Sequence, residues 1–228
     1  MTDTRDTTPL VLGTEKIGKL LMQYAIPAII AMTASSLYNM VDSIFIGHGV
    51  GPLAIAGLAI TFPLMNLAAA FGSLVGVGAS TLVAIKLGQK DKESATHVLG
   101  NVVLLNAIIG LIFMTVALVF LNPILLFFGA SPDTLPYARE YMEVILAGNL
   151  ITHIYMGLNE VLRASGYPRK AMTATLMAVI VNCVLDALFI LVFEWGIRGA
   201  ALATIMAQVI SLSWQLHHFF DKKSFLHF

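Results

Sequence analysis

Six apolar runs, each long enough to cross a lipid bilayer, take up most of this chain. About 20 apolar residues in a helix span the hydrocarbon core of a bilayer, so each run predicts one membrane-spanning helix. The runs occupy residues 20–46, 53–85, 98–121, 137–159, 171–193 and 197–220. Polar residues fill the short loops between them, a tail over 1–15 and the end over 222–228. The sequence therefore predicts an all-α, polytopic membrane protein with one unit of six transmembrane helices over 16–221.

The composition excludes a soluble domain and gives no sign of a nucleic-acid partner. Hydrophobic residues make up 58% of the chain and charged residues 11%, whereas roughly a quarter of a soluble domain is charged. The formal net charge is zero, and the single cysteine, Cys183, cannot form a disulfide within the chain. No histidine pair has the spacing of metal ligands, and the sequence has no phosphate-binding glycine loop or nucleophile motif. We therefore expect neither an enzyme nor a bound cofactor.

Basic residues fall almost entirely on one side of the predicted membrane. Of the 13 Lys and Arg, only Arg139 and Arg198 lie on the opposite side. Cytoplasmic loops carry the excess of Lys and Arg in membrane proteins, so the pattern places both termini in the cytoplasm. The tail lacks the basic and apolar regions of a cleaved signal peptide, so the first run stays as a span. We expect a multi-pass protein of the inner (plasma) membrane.

Two acids lie inside apolar runs, at similar predicted depth. Asp42 follows Tyr38 and Asn39 about 33 Å of helical rise beyond Leu20, and Asp186 lies about 22 Å into the fifth run. Both positions are past the bilayer midplane, in its outer half. Asn182 shares a helix face with Asp186 because the two are four residues apart. Thr204 lies about 10 Å down the returning sixth run, at a similar level.

A carboxylate at this depth is costly and, by default, functional. It can take a proton, bind a small hard cation such as sodium through oxygen ligands, or face a water-filled cavity. Each of these states suits a site that couples ion movement to transport. The alternative is that Asp42 and Asp186 each bond to neighbouring helices as static structural groups. We expect the two acids to meet in one pocket.

Five short motifs follow one another along the chain. They are Pro27 with Y-N-M-V-D-S-I-F-I-G-H-G from Tyr38, L-G-Q-K-D from Leu87, R-A-S-G-Y-P-R-K from Arg163, N-C-V-L-D from Asn182 and G-I-R-G-A-A-L-A-T from Gly196. Together they resemble the multidrug and toxic compound extrusion (MATE) transporters, above all the prokaryotic branch with its cation site in the N-terminal lobe. The resemblance implies a proton or sodium site formed by Asp42, Asn182, Asp186 and Thr204. Tyr38, Asn39 and Pro27 would support that site from the first helix.

The resemblance also implies a partner for this chain. MATE transporters have twelve helices in two six-helix lobes that hold the substrate between them, whereas six runs are present here. We therefore expect one N-terminal lobe, with the second lobe absent from this sequence. The second lobe would come from missing sequence or from a second copy of the chain in a homodimer, because alternating access needs two halves.

The expected function is export of amphipathic, cationic drugs and toxic compounds in exchange for protons or sodium. One alternative is a flippase for lipid-linked precursors from the same superfamily, although such proteins tend to line their cavity with basic residues that this chain lacks at membrane depth. A second alternative is a non-transporting structural subunit of the membrane. An intramembrane aspartyl protease is disfavoured because the G-x-G-D and Y-D motifs of that class are missing.

Overall fold

The computed structural model of the protein describes residues 16–221 and 226, and every regular element among them is a helix. The predicted tail over 1–15 and most of the predicted end over 222–228 lie outside the described residues. In chain order the helices are α1 (Ile17–Gly49), α2 (Pro52–Gly88), α3 (Lys92–Val119), α4 (Leu121–Phe127), α5 (Leu135–Ala147), α6 (Asn149–Ala164), α7 (Pro168–Asp186), a π-helix (Ala187–Val192) and α8 (Gly196–Phe220).

Five of these helices are long and apolar enough to cross a bilayer, namely α1, α2, α3, α8 and α7 together with its π-helical extension. The predicted fourth span is made of two shorter helices in series, α5 and α6, which meet at Gly148. A Cβ atom on Gly148 would lie 2.3 Å from Cδ1 of Ile205, so α8 packs directly against this junction. The predicted all-α, polytopic membrane fold is confirmed.

Local sequence explains several helix starts. Proline stands at the first or second position of α2, α5 and α7, where its missing N–H and fixed φ suit the first turn of a helix. Asp91 caps α3, accepting a hydrogen bond from the Ser94 N–H at 3.0 Å. The hydrogen bonds from Ser94, with a smaller contribution from Lys86, lower the pKa of Asp91 to about 2. These sequence signals determine where the helices begin.

The two exceptions to the basic-residue pattern lie together at one end of the bundle. Arg139 pairs with Glu143 at 2.7 Å within α5, and Arg198 of α8 pairs with Glu140 of α5 at 3.7 Å. The start of α5 therefore lies beside the start of α8. At the other end, Asn159 near the end of α6 donates to the Ala171 carbonyl near the start of α7 at 3.2 Å.

The apolar core is divided into two clusters, one toward each end of the bundle. The first contains Ile46, Leu58, Met142 and Ile197, and the second contains Leu99, Leu162 and Phe219, together with other buried residues. Only four residues of α1 are buried, Pro27, Ala31, Asp42 and Ile46, although the helix has 33 residues and runs unbroken through the proline.

Glycines let α2 and α6 approach closely. A Cβ atom on Gly76 would lie 3.0 Å from Cα of Gly157, and one on Gly72 would lie 3.1 Å from the His153 ring. Contact between two backbones leaves no side chain that can move aside. Small residues at such positions are a common basis of helix packing in membranes.

We expect Gly76→Val to destabilise the protein by about 1–3 kcal/mol, the usual cost of overpacking, because α6 would be forced away from α2. Gly78→Val is the matched control, since a Cβ atom at Gly78 meets nothing within 4 Å. Thermal unfolding of the purified protein in detergent measures both. Equal unfolding midpoints for the two variants would contradict the close packing.

Candidate functional site

Three helices bring two buried acids into one region. Asp42 on α1 is 4% exposed, and Asp186, the last residue of α7, is fully buried. The two carboxyl groups are close enough to interact electrostatically. Thr204, which is 9% exposed, belongs to the first turns of α8. The acids that the sequence places at similar depth thus lie on facing helices.

Hydrogen bonds connect the helices at this point. The Tyr38 hydroxyl of α1 and the Thr204 hydroxyl of α8 are 2.9 Å apart. The Thr204 hydroxyl also donates to the Ala200 carbonyl of its own helix at 3.2 Å. Asn182, one helical turn before Asp186, lies between Asp186 and Thr204. We call the set formed by Tyr38, Asp42, Asn182, Asp186 and Thr204 the carboxyl cluster.

The Asn182 amide joins Asp186 to α8. Its Nδ2 donates to Oδ2 of Asp186 at 2.8 Å, and its Oδ1 accepts from the Thr204 backbone N–H at 3.1 Å. This arrangement suits an ionised carboxylate, which can only accept hydrogen bonds.

One oxygen of each acid has no hydrogen-bond partner among the described residues. These atoms are Oδ1 of Asp42 and Oδ1 of Asp186, both buried. A buried carboxylate oxygen without a donor is costly, and a proton or a small cation removes that cost. Carboxylate, amide and hydroxyl oxygens are ligands that hard cations accept. The oxygen atoms of the carboxyl cluster can therefore hold either a proton or a small cation.

A sixth residue belongs to this region and was missed by the sequence analysis. Tyr141 of α5 is 1% exposed, and it interacts electrostatically with Asp42 and Asp186 and through its hydroxyl with the Thr204 side chain. A tyrosine in an apolar run carries no spacing signal that separates it from a core aromatic residue. Its interactions with the cluster depend on the packing of α5 beside α8, which the sequence does not show.

The π-helix begins immediately after Asp186. A π-turn widens the helix by one residue and is often found at functional sites. Here it turns Ile190 toward α1, where a Cβ atom on Gly49 would lie 2.4 Å from Cγ2 of Ile190. The end of α1 is thereby held close to the carboxyl end of α7, with Asp42 about two turns before this contact.

A cavity of about 410 Å³ opens beside the carboxyl cluster, and we call it the central cavity. Its wall includes Tyr38, Asn182 and Thr204 of the cluster. None of the residues that line it is charged; the others are Ser35, Asn39, Met65, Ala68, Ala69, Ile145, Asn149, Thr152, Tyr155, Met156, Thr175, Ala178, Val179, Ala207 and Gln208. Asp42 and Asp186 lie behind this wall.

Two residues with predicted supporting roles lie at the margin of the site. Asn39 lines the central cavity, but its amide donates to the Ser35 carbonyl of its own helix at 3.1 Å. Pro27 is buried in α1, more than three helical turns before Asp42. Within the described part of the chain, neither makes a hydrogen bond to the carboxyl cluster, so their supporting roles stay predictions.

The helical fold, the buried acids and the cavity beside them are those of a polytopic membrane transporter lobe, and comparison with known proteins agrees. The MatE family model matches residues 27–188. The chain is 28% identical over 212 residues to the multidrug export protein MepA of Staphylococcus haemolyticus (strain JCSC1435), covering 93% of this chain and 47% of that protein. The chain therefore belongs to the MatE family of transporters.

Solved structures share the fold. "Crystal structure of MATE in the bent conformation" superposes with a TM-score of 0.86 at 30% identity, over 92% of this chain and 47% of that one. A second structure is that of a Pyrococcus furiosus transporter of the MOP superfamily, described by "Reverse polarity of binding pocket suggests different function". It superposes with a TM-score of 0.85 at 30% identity, over 91% of this chain and 46% of that one. The chain spans about half the length of the relatives it matches, which corresponds to one lobe.

We expect Thr204→Val to lower the stability of the protein by about 1–3 kcal/mol, because the Tyr38 hydroxyl loses a buried partner. Thr81→Val is the matched control, since the exposed Thr81 hydroxyl bonds only to Val77 of its own helix. The unfolding midpoint should fall by about 2–4 °C per kcal/mol in the first variant and stay unchanged in the second. An unchanged midpoint for Thr204→Val would show that this bond does not join the helices.

Proposed function

We propose that this chain is the cation-coupled lobe of a multidrug exporter, which exchanges protons or sodium for amphipathic, cationic compounds. One observation carries the proposal. Tyr38, Asn182 and Thr204 line the central cavity and also belong to the hydrogen-bonded set around Asp186. A change of charge on the acids therefore alters the same side chains that a substrate in the cavity would contact.

The coupling step follows from the hydrogen bond between Asn182 and Asp186. When Asp186 is ionised, the amide donates to the carboxylate and accepts from the Thr204 backbone N–H. A proton on Asp186 removes the negative charge that strengthens this bond. Protonation thus changes how Asn182 is held on the cavity wall, and a bound substrate opposes or favours that change. Such reciprocity is required of any coupling between two binding events.

Sodium is the alternative coupling ion. It would bind between the two acid oxygens without a hydrogen-bond partner and would be completed by amide and hydroxyl oxygens of the carboxyl cluster. Proton and sodium then compete for one site, because the same oxygens cannot hold both at full occupancy. Either ion neutralises the buried negative charge. Binding of a proton and binding of sodium should therefore have the same effect on the cluster residues that line the cavity.

The chemistry of the central cavity favours amphipathic cations over lipid-linked phosphates. Its wall combines apolar side chains with uncharged oxygen and amide groups, and the nearby acids supply negative charge. A flippase cavity for pyrophosphate lipids needs cationic donors, and the described lining residues include none. The chain spans about half the length of its relatives, which supports the presence of a partner. That partner is either a second six-helix lobe of a longer protein or a second copy of the chain. We place both termini in the cytoplasm, with the protein in the plasma membrane.

We expect Asp42→Asn and Asp186→Asn to abolish drug resistance when each is made in the native reading frame, because an amide cannot exchange a proton or bind sodium as a carboxylate does. Glu143→Gln removes one carboxyl from the exposed α5 surface and is the matched control. Growth in the presence of ethidium, together with immunoblots for expression, measures the effect. Resistance that survives both substitutions would favour the structural-subunit alternative.

We expect Ala178→Lys to weaken binding of the cation tetraphenylphosphonium to the purified protein by about tenfold, equivalent to roughly 1.4 kcal/mol, because it places a positive charge on the cavity wall. Ala178→Met fills similar space without charge and controls for steric effects. Equilibrium dialysis measures the affinity. Stronger binding of anionic lipid phosphate with no loss of the cation would favour the flippase alternative.

A further inference from the structure

Polar residues follow one face of α8 from the carboxyl cluster almost to the end of the helix. They are Thr204, Gln208, Ser211, Gln215 and His218, and we call them the polar seam. Their spacing of four, three, four and three residues keeps them on one side of a helix over about 21 Å. Thr204, Ser211, Gln215 and His218 are buried, whereas the intervening Met206, Val209 and Ile210 are exposed.

The upper part of the seam has partners on facing helices. Thr152 of α6 donates to Oε1 of Gln208 at 2.5 Å, and both residues line the central cavity. Ser211 donates to the Ala174 carbonyl of α7 at 2.7 Å. Tyr155 of α6 interacts with the side chain of Ser211 as well. Hydroxyl groups therefore continue from the cavity into the contact between α6, α7 and α8.

The lower part of the seam passes through the second apolar cluster. Gln215 is fully buried there, and neither atom of its amide has a hydrogen-bond partner among the described residues. One turn further, Nδ1 of His218 lies 2.9 Å from Nζ of Lys170 at the start of α7. A buried amide without partners costs on the order of 1–3 kcal/mol, and native proteins satisfy such groups with protein or with ordered water.

Water is the partner that fits the position of Gln215. The amide lies four residues after Ser211 and three before His218, on the same face of α8. Ordered water commonly satisfies buried polar groups that have no protein partner. Bound water would join the hydroxyl groups of the upper seam to the His218 ring in one continuous chain.

We propose that the polar seam, hydrated at Gln215, is the route by which the coupling proton moves between the carboxyl cluster and the cytoplasmic end of the lobe. The inference rests on the proposed function, because it needs acids that exchange protons. Each hydroxyl or water accepts a proton from one neighbour and passes its own to the next, so one proton is moved in total. The carboxyl that releases it becomes a carboxylate, and water at the far end accepts it. Gln208 and Gln215 are positioning residues that hold the chain in line.

Titratable groups face the seam from α1, α5, α6 and α7. They are Tyr38 of α1, Tyr141 of α5, Tyr155 of α6 and Lys170 of α7, with His218 and Asp221 at the end of α8. None of them is as buried and as lacking in partners as Gln215. The glutamine is therefore the position at which the route can be interrupted without changing the charge of the lobe.

The test uses the transporter as expressed from its native reading frame, in liposomes of known orientation. A membrane-permeant carbodiimide reacts with protonated buried carboxyls, and peptide mass spectrometry gives the labelled fraction of Asp42 and Asp186. We expect labelling to rise when only the cytoplasmic side is acidified. Gln215→Met should reduce the initial rate of that rise about tenfold, which corresponds to roughly 1.4 kcal/mol on the barrier. With both sides acidic its labelling should equal that of the unaltered protein.

Three further variants separate hydration from packing. Gln215→Ser leaves a hydroxyl and space for water, so it should retain most of the response. Ser211→Ala should slow the response, whereas Ser213→Ala should not, because the exposed Ser213 hydroxyl bonds only to Val209 of its own helix. A full one-sided response in Gln215→Met, or no response to cytoplasmic acid in the unaltered protein, would overturn the route. Carboxyls whose labelling ignores the pH on both sides would overturn the proposed function itself.

Discussion

A carboxylate in the interior of a membrane bundle needs a proton, a cation or hydrogen-bond donors, and the arrangement of this lobe is consistent with that need. Asp186 has its donor from Asn182, one turn away on the same helix, and Asn182 is in turn fixed by Thr204 of α8. Tyr38 brings α1 to the same threonine. Hydrogen bonds around one buried acid therefore connect α1, α7 and α8.

Much of the fold follows from length and depth alone, whereas side-chain contacts across helices do not. Apolar runs and basic ends predict the spans because the bilayer fixes both, and helical rise places Asp42, Asp186 and Thr204 at one level. The break at Gly148 and the π-helix after Asp186 were not predicted, since each depends on packing against α8 or α1. Tyr141 was missed for the same reason: its partners come from other helices.

The division of the core into two clusters leaves room for polar chemistry between them. At one end α5, α8 and the π-helix pack around Met142 and Ile197, and at the other end α3 and α6 pack around Leu99 and Leu162. The central cavity lies where neither cluster fills the space. Amide and hydroxyl groups line it because they can bond to one another or to the backbone there without adding a charge. The two packed ends thus enclose a polar middle.

The scant burial of α1 has a mechanical consequence. A helix of 33 residues with four buried side chains loses little contact area when it shifts, so packing offers weak resistance along most of its length. Its strongest ties are the Tyr38 hydroxyl, the buried Asp42 and the close approach at Gly49. The hydrogen bond and the close approach that hold α1 thus lie in its second half, whereas Pro27 and Ala31 pack it against the bundle in its first half.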